Sequence, residues 1–278
     1  MDFQEKMQEY ARKTESFLKE YIMGCELYIE KSLFDSMTYS LFSGGKRVRP
    51  VLLLGIYELC GGKSEEILKF AGAIEMIHTY SLIHDDFPCM DDDTFRRGKK
   101  CNHIIFGEST ALLAGDALLT HAFELASSEY KELNHKCVLK ALNVLASYSG
   151  SSGMVSGQCM DLNLKPIDYT KEKLLNIYLL KTAKLMMASA KIGAILAGAD
   201  EKIILCAENY GKNIGLVFQL VDDILDNDFE KLKFFGGKEY ASDFIKKLTE
   251  NAKKYLDKIG GKSEFLKAFS DYLVSRIA

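Results

Sequence analysis

Proline occurs only three times in 278 residues, at Pro50, Pro88 and Pro166. Each proline removes a backbone donor and clashes with the preceding helical turn, so its positions limit where a helix can continue. The long intervals between these three lack dense turn chemistry, which suits long helices better than many short strands. With 47% hydrophobic residues the chain can bury a sizeable core, and one domain over residues 1–278 is expected. The expected fold class is all-α: a bundle of long helices.

Apolar spacing supports this. Phe3, Met7, Tyr10, Ala11, Phe17, Leu18 and Tyr21 follow steps of three and four, an amphipathic helix over residues 3–21. A second helix is expected over 33–42, stopped by Ser43-Gly44-Gly45, where glycine can take the left-handed conformation. A third covers 51–59. Ser64, followed by Glu65 and Glu66, reads as the cap of a helix that runs through His84. Others are expected over 108–126, 136–148, 154–162 and 170–197, then from an Asp200 cap to Asp226, and over 240–259 and 263–277. Gly157 lies inside one of them at a cost of up to about 1 kcal/mol against alanine, which a close helix approach would explain. Small residues from Ala188 to Gly198 point to tight packing against a neighbour.

Chemistry concentrates in residues 83–98, IHDDFPCMDDDTFRRG, where Asp85, Asp86, Asp91, Asp92 and Asp93 precede Arg96 and Arg97. Carboxylates crowded together raise one another's pKa unless a cation neutralises them. Oxygen ligands without Cys or His spacing favour a hard ion such as Mg²⁺. In an unbroken helix Asp85 and Asp91 would stand about 240° apart and could not share a metal. Pro88 disfavours that helix, so Asp85 and Asp86 are expected on the last turn and Asp91 on a bulge that folds back. His78 lies seven residues before Asp85 on the same helical face. A helical histidine is ordinarily a packing or surface residue; its alignment with the acids adds a ligand-binding reading. Downstream, Asp222 and Asp226 repeat the acid pattern one turn apart. Like charges at that spacing destabilise a helix by a few tenths of a kcal/mol, and a metal would reverse the sign.

Lys46, Arg47 and Arg49 beside Gly44-Gly45 read either as a basic helix start or as a phosphate grip. Residues 99–103 are expected to form an irregular basic loop. Net charge is −3 with lysines spread along the chain, against a nucleic-acid partner. Seven cysteines without a CxxC pair suggest neither a disulfide framework nor a zinc site. A polar N-terminus and no bilayer-length apolar run predict a soluble, cytoplasmic protein without a membrane span. No nucleophile dyad, P-loop or dinucleotide fingerprint is present. Chemistry must then come from metals and positioning: a diphosphate would satisfy both the metals and the cations and would be a good leaving group, and if the departing fragment were allylic the carbocation would need an apolar pocket.

Five motifs in register, Gly44-Gly45-Lys46-Arg47-x-Arg49-Pro50, Asp85-Asp86-x4-Asp91 with Arg96-Arg97-Gly98, Gly153-Met154-x-x-Gly157-Gln158-x-x-Asp161-Leu162, Lys181-Thr182, and Phe218-Gln219-x-x-Asp222-Asp223-x-x-Asp226, resemble the trans-prenyltransferase (polyprenyl synthetase) family over nearly the whole chain. The proline-containing insertion Phe87-Pro88-Cys89-Met90 is most similar to the bacterial-type farnesyl diphosphate synthases.

The resemblance implies an isoprenoid-synthase bundle around a central apolar cavity, a homodimer, and head-to-tail condensation of isopentenyl diphosphate with dimethylallyl and geranyl diphosphate. It implies that Lys46, Arg49, His78 and Arg97 bind isopentenyl diphosphate and that Arg96 and Lys181 hold the allylic diphosphate. It further implies that Asp85, Asp86, Asp91, Asp222 and Asp226 bind Mg²⁺, and that Thr182 and Gln219 stabilise the cation. Tyr80, five residues before Asp85, reads either as an ordinary core residue or, as the resemblance to farnesyl-forming members implies, as the floor of the pocket that sets a farnesyl product. Alternative products are geranylgeranyl and geranyl diphosphate. A non-catalytic subunit would be expected to have lost its acid motifs, and a terpene cyclase would have no purpose for the second diphosphate site. The resemblance lapses between Asp228 and Gly237, where the family's lysine- and glycine-containing loop and Lys-x-Thr element have no good match. If the loop is truly absent from the protein, a phosphate-binding lysine and closure of the site against water are in question. Ala183 also stands where glycine is common.

Overall fold

The computed structural model describes residues 2–277. The helices are α1 (Phe3–Cys25), α2 (Lys31–Leu41), α3 (Val48–Leu59), α4 (Ile67–Asp85), α5 (Asn102–Phe106), α6 (Glu108–Ala126), α7 (His135–Ser149), α8 (Met154–Asn163), α9 (Lys171–Ile177), α10 (Lys184–Leu196), α11 (Glu201–Leu225), α12 (Phe229–Leu232), α13 (Gly237–Ile259) and α14 (Glu264–Val274). Among the described residues the only strands are β1 (Phe95–Arg96) and β2 (Lys99–Lys100), one antiparallel hairpin. The fold is all-α. No described helix is long and apolar enough to cross a membrane.

Most expected elements form where the apolar period placed them, and α6 has the expected ends. Asp200 caps α11 by accepting a hydrogen bond from the Ile203 amide at 2.9 Å, filling one of the donors a helix start leaves open. Four expectations need correction. Helix α3 begins at Val48, which puts Pro50 in its first turn, where a missing N–H costs nothing. Ser64 is not the cap of α4: Glu66 holds that position without a side-chain cap bond. Its carboxylate instead accepts the Lys131 amide at 2.8 Å. The basic loop at residues 99–103 is partly the hairpin, turned through Arg97 and Gly98 at φ 53° and 75°, and partly α5. The helix expected over 170–197 is not uniform, because residues Tyr178–Ala183 form a π-helical segment between α9 and α10.

Cα packing divides the chain into two compact units, one of Met7–Val51 with Glu65–Lys131 and the other of Met1–Lys6, Leu52–Ser64 and Glu132–Ala278. In the first unit α4 packs along α6, and α2 packs on both. Gly72 of α4 lies against Leu18 of α1 and Leu125 of α6, where a Cβ would be tight. Arg47, its side chain fully buried, is paired with Glu75 at 2.6 Å and Glu15 at 3.1 Å. It also donates to the Leu41 carbonyl.

In the second unit α11 packs against α10, α13 and α14. The close approach expected at Gly157 is present: a Cβ there would overlap the Lys181 backbone. Gly215 of α11 similarly faces Ala183. The wide π turn thus meets a glycine on α8 and another on α11. Gly193 of α10 meets the Leu53 carbonyl, which places one of the small residues expected to pack tightly.

Candidate active site

The first acid stretch lies wholly in the first unit. Helix α4 ends at Asp85 with Asp86 as its C-cap, and the chain then reverses through Pro88. The Asp91 amide donates to the Asp85 carbonyl at 2.9 Å, so the expected fold-back exists and brings the two residues together despite the helical phase. The reversal uses Asp92 at φ 54°, a left-handed conformation that aspartate tolerates better than bulkier residues.

Asp86 is buried, at 3% exposure. Burial raises its pKa, while the Arg96 guanidinium and the Cys101 thiol favour the charged form. Arg96 bonds Asp86 with Nε and Asp93 with Nη2, the latter at 2.9 Å. Desolvation opposes the Arg96 charge, and Asp86, Asp93 and Asp85 more than restore it. Arg97 donates to the Gly44 carbonyl, joining the glycine pair to the hairpin turn.

Four arginines surround His78. Burial first, then Arg49, Arg97, Arg47 and Arg96, hold its pKa well below the usual histidine value, so it is neutral at pH 7. A neutral imidazole beside clustered cations can donate one hydrogen bond to an anion. Of the three cations read as a phosphate grip, Arg47 is committed to Glu75 and Glu15; Lys46 is exposed and Arg49 half-buried. Tyr80 is buried at 6% exposure and meets the His84 ring edge-on at 5.7 Å between centroids. Burial and then Asp85 push its pKa up to about 12.

The second acid stretch lies in the other unit, at the end of α11. Asp222 is ion-paired with Arg276 at 2.7 Å, and Asp226 forms the C-cap. Asp223, at 3% exposure, faces inward. The π segment carries Lys181 and Thr182, and such segments recur at functional sites. Lys181 pairs with Asp161 at 2.6 Å; the Thr182 hydroxyl donates to Gln219 Oε1 at 2.6 Å. Downstream, Lys231 on α12 pairs with Asp228 at 3.1 Å. Burial opposes its charge, and Asp228, Asp161 and Asp223 raise its pKa. A lysine therefore sits beside this motif although the family's loop has no match.

Asp161, Tyr178, Asp223, Cys101 and Arg276 join the site only in the folded chain. The i, i+4 spacing of Gln219 and Asp223 was an available signal. Nothing local marked Arg276, which arrives from the end of α14.

The donors of both acid motifs are oxygens, which fits a hard divalent cation. Among the described residues no three His, Cys, Asp or Glu converge on a metal position. Mg²⁺ suits such a set, because it commonly takes one or two carboxylates and leaves its other positions to water and substrate phosphate. Asp85 and Asp91 in the first motif and Asp222 and Asp226 in the second are the groups that would hold it. Asp86 is already engaged by Arg96, and Asp222 by Arg276, so a cation there would share Asp222 with that arginine.

An all-α chain with two aspartate motifs and flanking cations has the features of an isoprenoid synthase. The polyprenyl synthetase family model matches residues 30–256, and the chain belongs to that family as a short-chain trans-prenyltransferase. It is 42% identical over 262 residues to a geranylgeranyl diphosphate synthase of Cyanophora paradoxa, covering 88% of this chain and 87% of that protein. It is 45% identical over 223 residues to a farnesyl diphosphate synthase of Bacillus subtilis, covering 78% and 75%. The crystal structure of an FPP/GFPP synthase from Zymomonas mobilis matches with a TM-score of 0.90 at 32% identity over 98% of each chain.

Proposed function

We propose that residues 1–278 act as one polyprenyl synthetase domain. It joins isopentenyl diphosphate to dimethylallyl and then geranyl diphosphate and releases farnesyl diphosphate. The observation that carries the farnesyl reading is Tyr80, a buried ring roughly 7.5 Å along α4 from Asp85 at 1.5 Å per residue. A bulky ring at that position can floor the pocket and limit the length of the product. Geranylgeranyl diphosphate is the second reading, favoured by the name of the Cyanophora relative.

In this reading Lys46, Arg49, neutral His78 and Arg97 bind isopentenyl diphosphate. Arg96 and Lys181 hold the allylic diphosphate, and Asp85, Asp86, Asp91, Asp222 and Asp226 serve Mg²⁺, Asp86 acting through its bond to Arg96. Bound Mg²⁺ would neutralise the charge that develops on the departing diphosphate oxygens. As the allylic C–O bond breaks, Thr182 and Gln219 turn oxygen lone pairs toward the cation. The isopentenyl double bond then forms the new C–C bond, and the released diphosphate accepts the proton. An apolar pocket would be needed to keep water from the cation.

The reading also includes a cytoplasmic location, supported by seven free cysteines. It includes a homodimer, supported by Ile104, Ile105, Leu112 and Leu113, exposed on α5 and α6 at 44% to 57%. Light scattering tests the dimer. The central test is a product assay with Mg²⁺, isopentenyl diphosphate and either dimethylallyl or geranyl diphosphate, separating products by length. Farnesyl diphosphate as end product is expected; geranylgeranyl diphosphate would replace the farnesyl reading, and no product from folded protein would remove the catalytic one.

A further inference from the structure

Asp223 sits between two residues read as metal ligands, yet its environment differs from theirs. It is buried at 3% exposure, whereas Asp226 is exposed and Asp222 half-buried. Both of its oxygens are already engaged. The Tyr178 hydroxyl donates to Oδ2 at 2.5 Å and the Gln219 amide donates through Nε2 to Oδ1 at 3.0 Å. Gln219 in turn accepts the Thr182 hydroxyl on Oε1 at 2.6 Å. The four side chains form a closed chain, Tyr178 to Asp223 to Gln219 to Thr182, with its two ends on the same π segment.

Helical phase explains the division of labour. Asp222 and Asp226 share one face of α11, while Asp223 is rotated about 100° from Asp222 and shares its face with Gln219, one turn earlier. The π segment presents Tyr178 and Thr182 to that second face, and Gly157 and Gly215 leave room for its wide turn.

The chain has a chemical consequence. A glutamine amide can be placed with its oxygen and nitrogen exchanged, and only its partners decide which is which. Tyr178 spends its hydrogen on Asp223, so Asp223 meets Gln219 as an acceptor and takes the amide nitrogen. Gln219 must then direct its oxygen at Thr182, and Thr182 must donate to it. What remains on Gln219 Oε1 and Thr182 Oγ1 is lone-pair density, the polarity that stabilises a carbocation, while the second N–H of Gln219 Nε2 stays at the nitrogen end of the amide, beside Asp223.

We propose that Tyr178 and Asp223 are positioning residues that fix the orientation of Gln219, and through it Thr182, for the allylic cation, and that Asp223 is not a metal ligand. The proposal rests on the reading of Gln219 and Thr182 as cation-facing groups. Without Tyr178 and Asp223 the Gln219 amide turns freely, and half of its orientations point N–H groups, of the wrong polarity, at the cation.

The test uses the full chain and the variants Tyr178→Phe, Asp223→Asn, Gln219→Leu and the double variant Tyr178→Phe/Gln219→Leu. Turnover with geranyl and isopentenyl diphosphate is measured alongside Mn²⁺ affinity by electron paramagnetic resonance and folding by circular dichroism. Tyr178→Phe and Asp223→Asn should lower kcat by up to about 100-fold, the scale of misplaced reacting groups. The KM for geranyl diphosphate and the Kd for Mn²⁺ should stay within about twofold, since neither uniform substrate binding nor the metal set is touched. In the Gln219→Leu background Tyr178→Phe should cost nothing further, the non-additivity expected of residues acting through one another. Additive losses, an unchanged kcat in Tyr178→Phe, or weaker Mn²⁺ binding by folded Asp223→Asn would overturn the proposal. If Gln219→Leu alone leaves kcat unchanged, the cation-facing reading fails first and takes the proposal with it.

Discussion

The two acid stretches solve the same electrostatic problem in different ways. Residues 83–98 gather carboxylates by breaking a helix, reversing at Pro88 and spending left-handed conformations at Asp92 and Arg97. The chain's own arginines then neutralise the charge, Arg96 on Asp86 and Asp93. Residues 218–226 keep the helix intact to Leu225 and separate the carboxylates by face. Arg276 meets Asp222 on one side, and neutral donors from Tyr178 and Gln219 meet Asp223 on the other. The first arrangement depends on charge pairs within a strained loop; the second depends on how closely neighbouring helices approach. Their responses to substitution should therefore differ.

The largest effect is expected where the first region's supporting charges are buried. Arg47→Leu leaves Glu75, at 1% exposure, without its partner, and breaking such a pair costs about 3–5 kcal/mol. Urea unfolding measures it; a loss below about 1 kcal/mol would show that the pair behaves as a surface bridge. In the second region the corresponding weak point is backbone packing. Gly157→Ala should cost about 1–3 kcal/mol through overpacking against Lys181 and lower the melting temperature. A melt identical to that of the parent would mean that α8 can move away from the π segment at no cost.

Tyr80→Ala probes depth below the first motif rather than charge. It should shift the product toward longer chains by opening the space under Asp85, read by chromatography of dephosphorylated products. An unchanged product distribution removes Tyr80 from the account of chain length.

The smallest effect concerns pH. His78 has a folded-state pKa well below the ordinary value near 6.5, so the unfolded chain binds a proton that the folded chain refuses. The neutral histidine's contribution is complete above about pH 6.5 and declines as pH falls below it. Between pH 7.5 and 5.5 the parent should lose more stability than His78→Gln. Equal losses would mean that burial and the surrounding arginines do not hold the His78 pKa down.

Much of this molecule was legible from local pattern. Helix α6 was placed to the residue, the Asp200 cap was read from its side chain and position, and the fold-back of Asp91 followed from the conflict between helical phase and Pro88. Gly157 announced a close approach without naming its partner, which proved to be Lys181. The misreadings also have causes. The Ser64 cap was misplaced by two residues: the helix starts at Ile67 with Glu66 at the cap position, and the Ser64 amide donates to the Tyr57 hydroxyl. The hairpin at residues 95–100 is too short to leave a two-residue period, and Arg97 accepts a positive φ that a sequence pattern reserves for glycine.

The sequence by itself determined where the helices run and which stretches carry acid, since both follow from periodicities and spacings within a few turns. Tertiary structure alone decided what each charged group does. It committed Arg47 to Glu75 rather than to a phosphate, set Arg276 on Asp222, and turned Asp223 toward Tyr178 rather than toward its neighbours in the motif. A hydrogen bond between residues far apart in sequence depends on how helices approach one another. That approach is fixed by packing over many side chains, which no local spacing records.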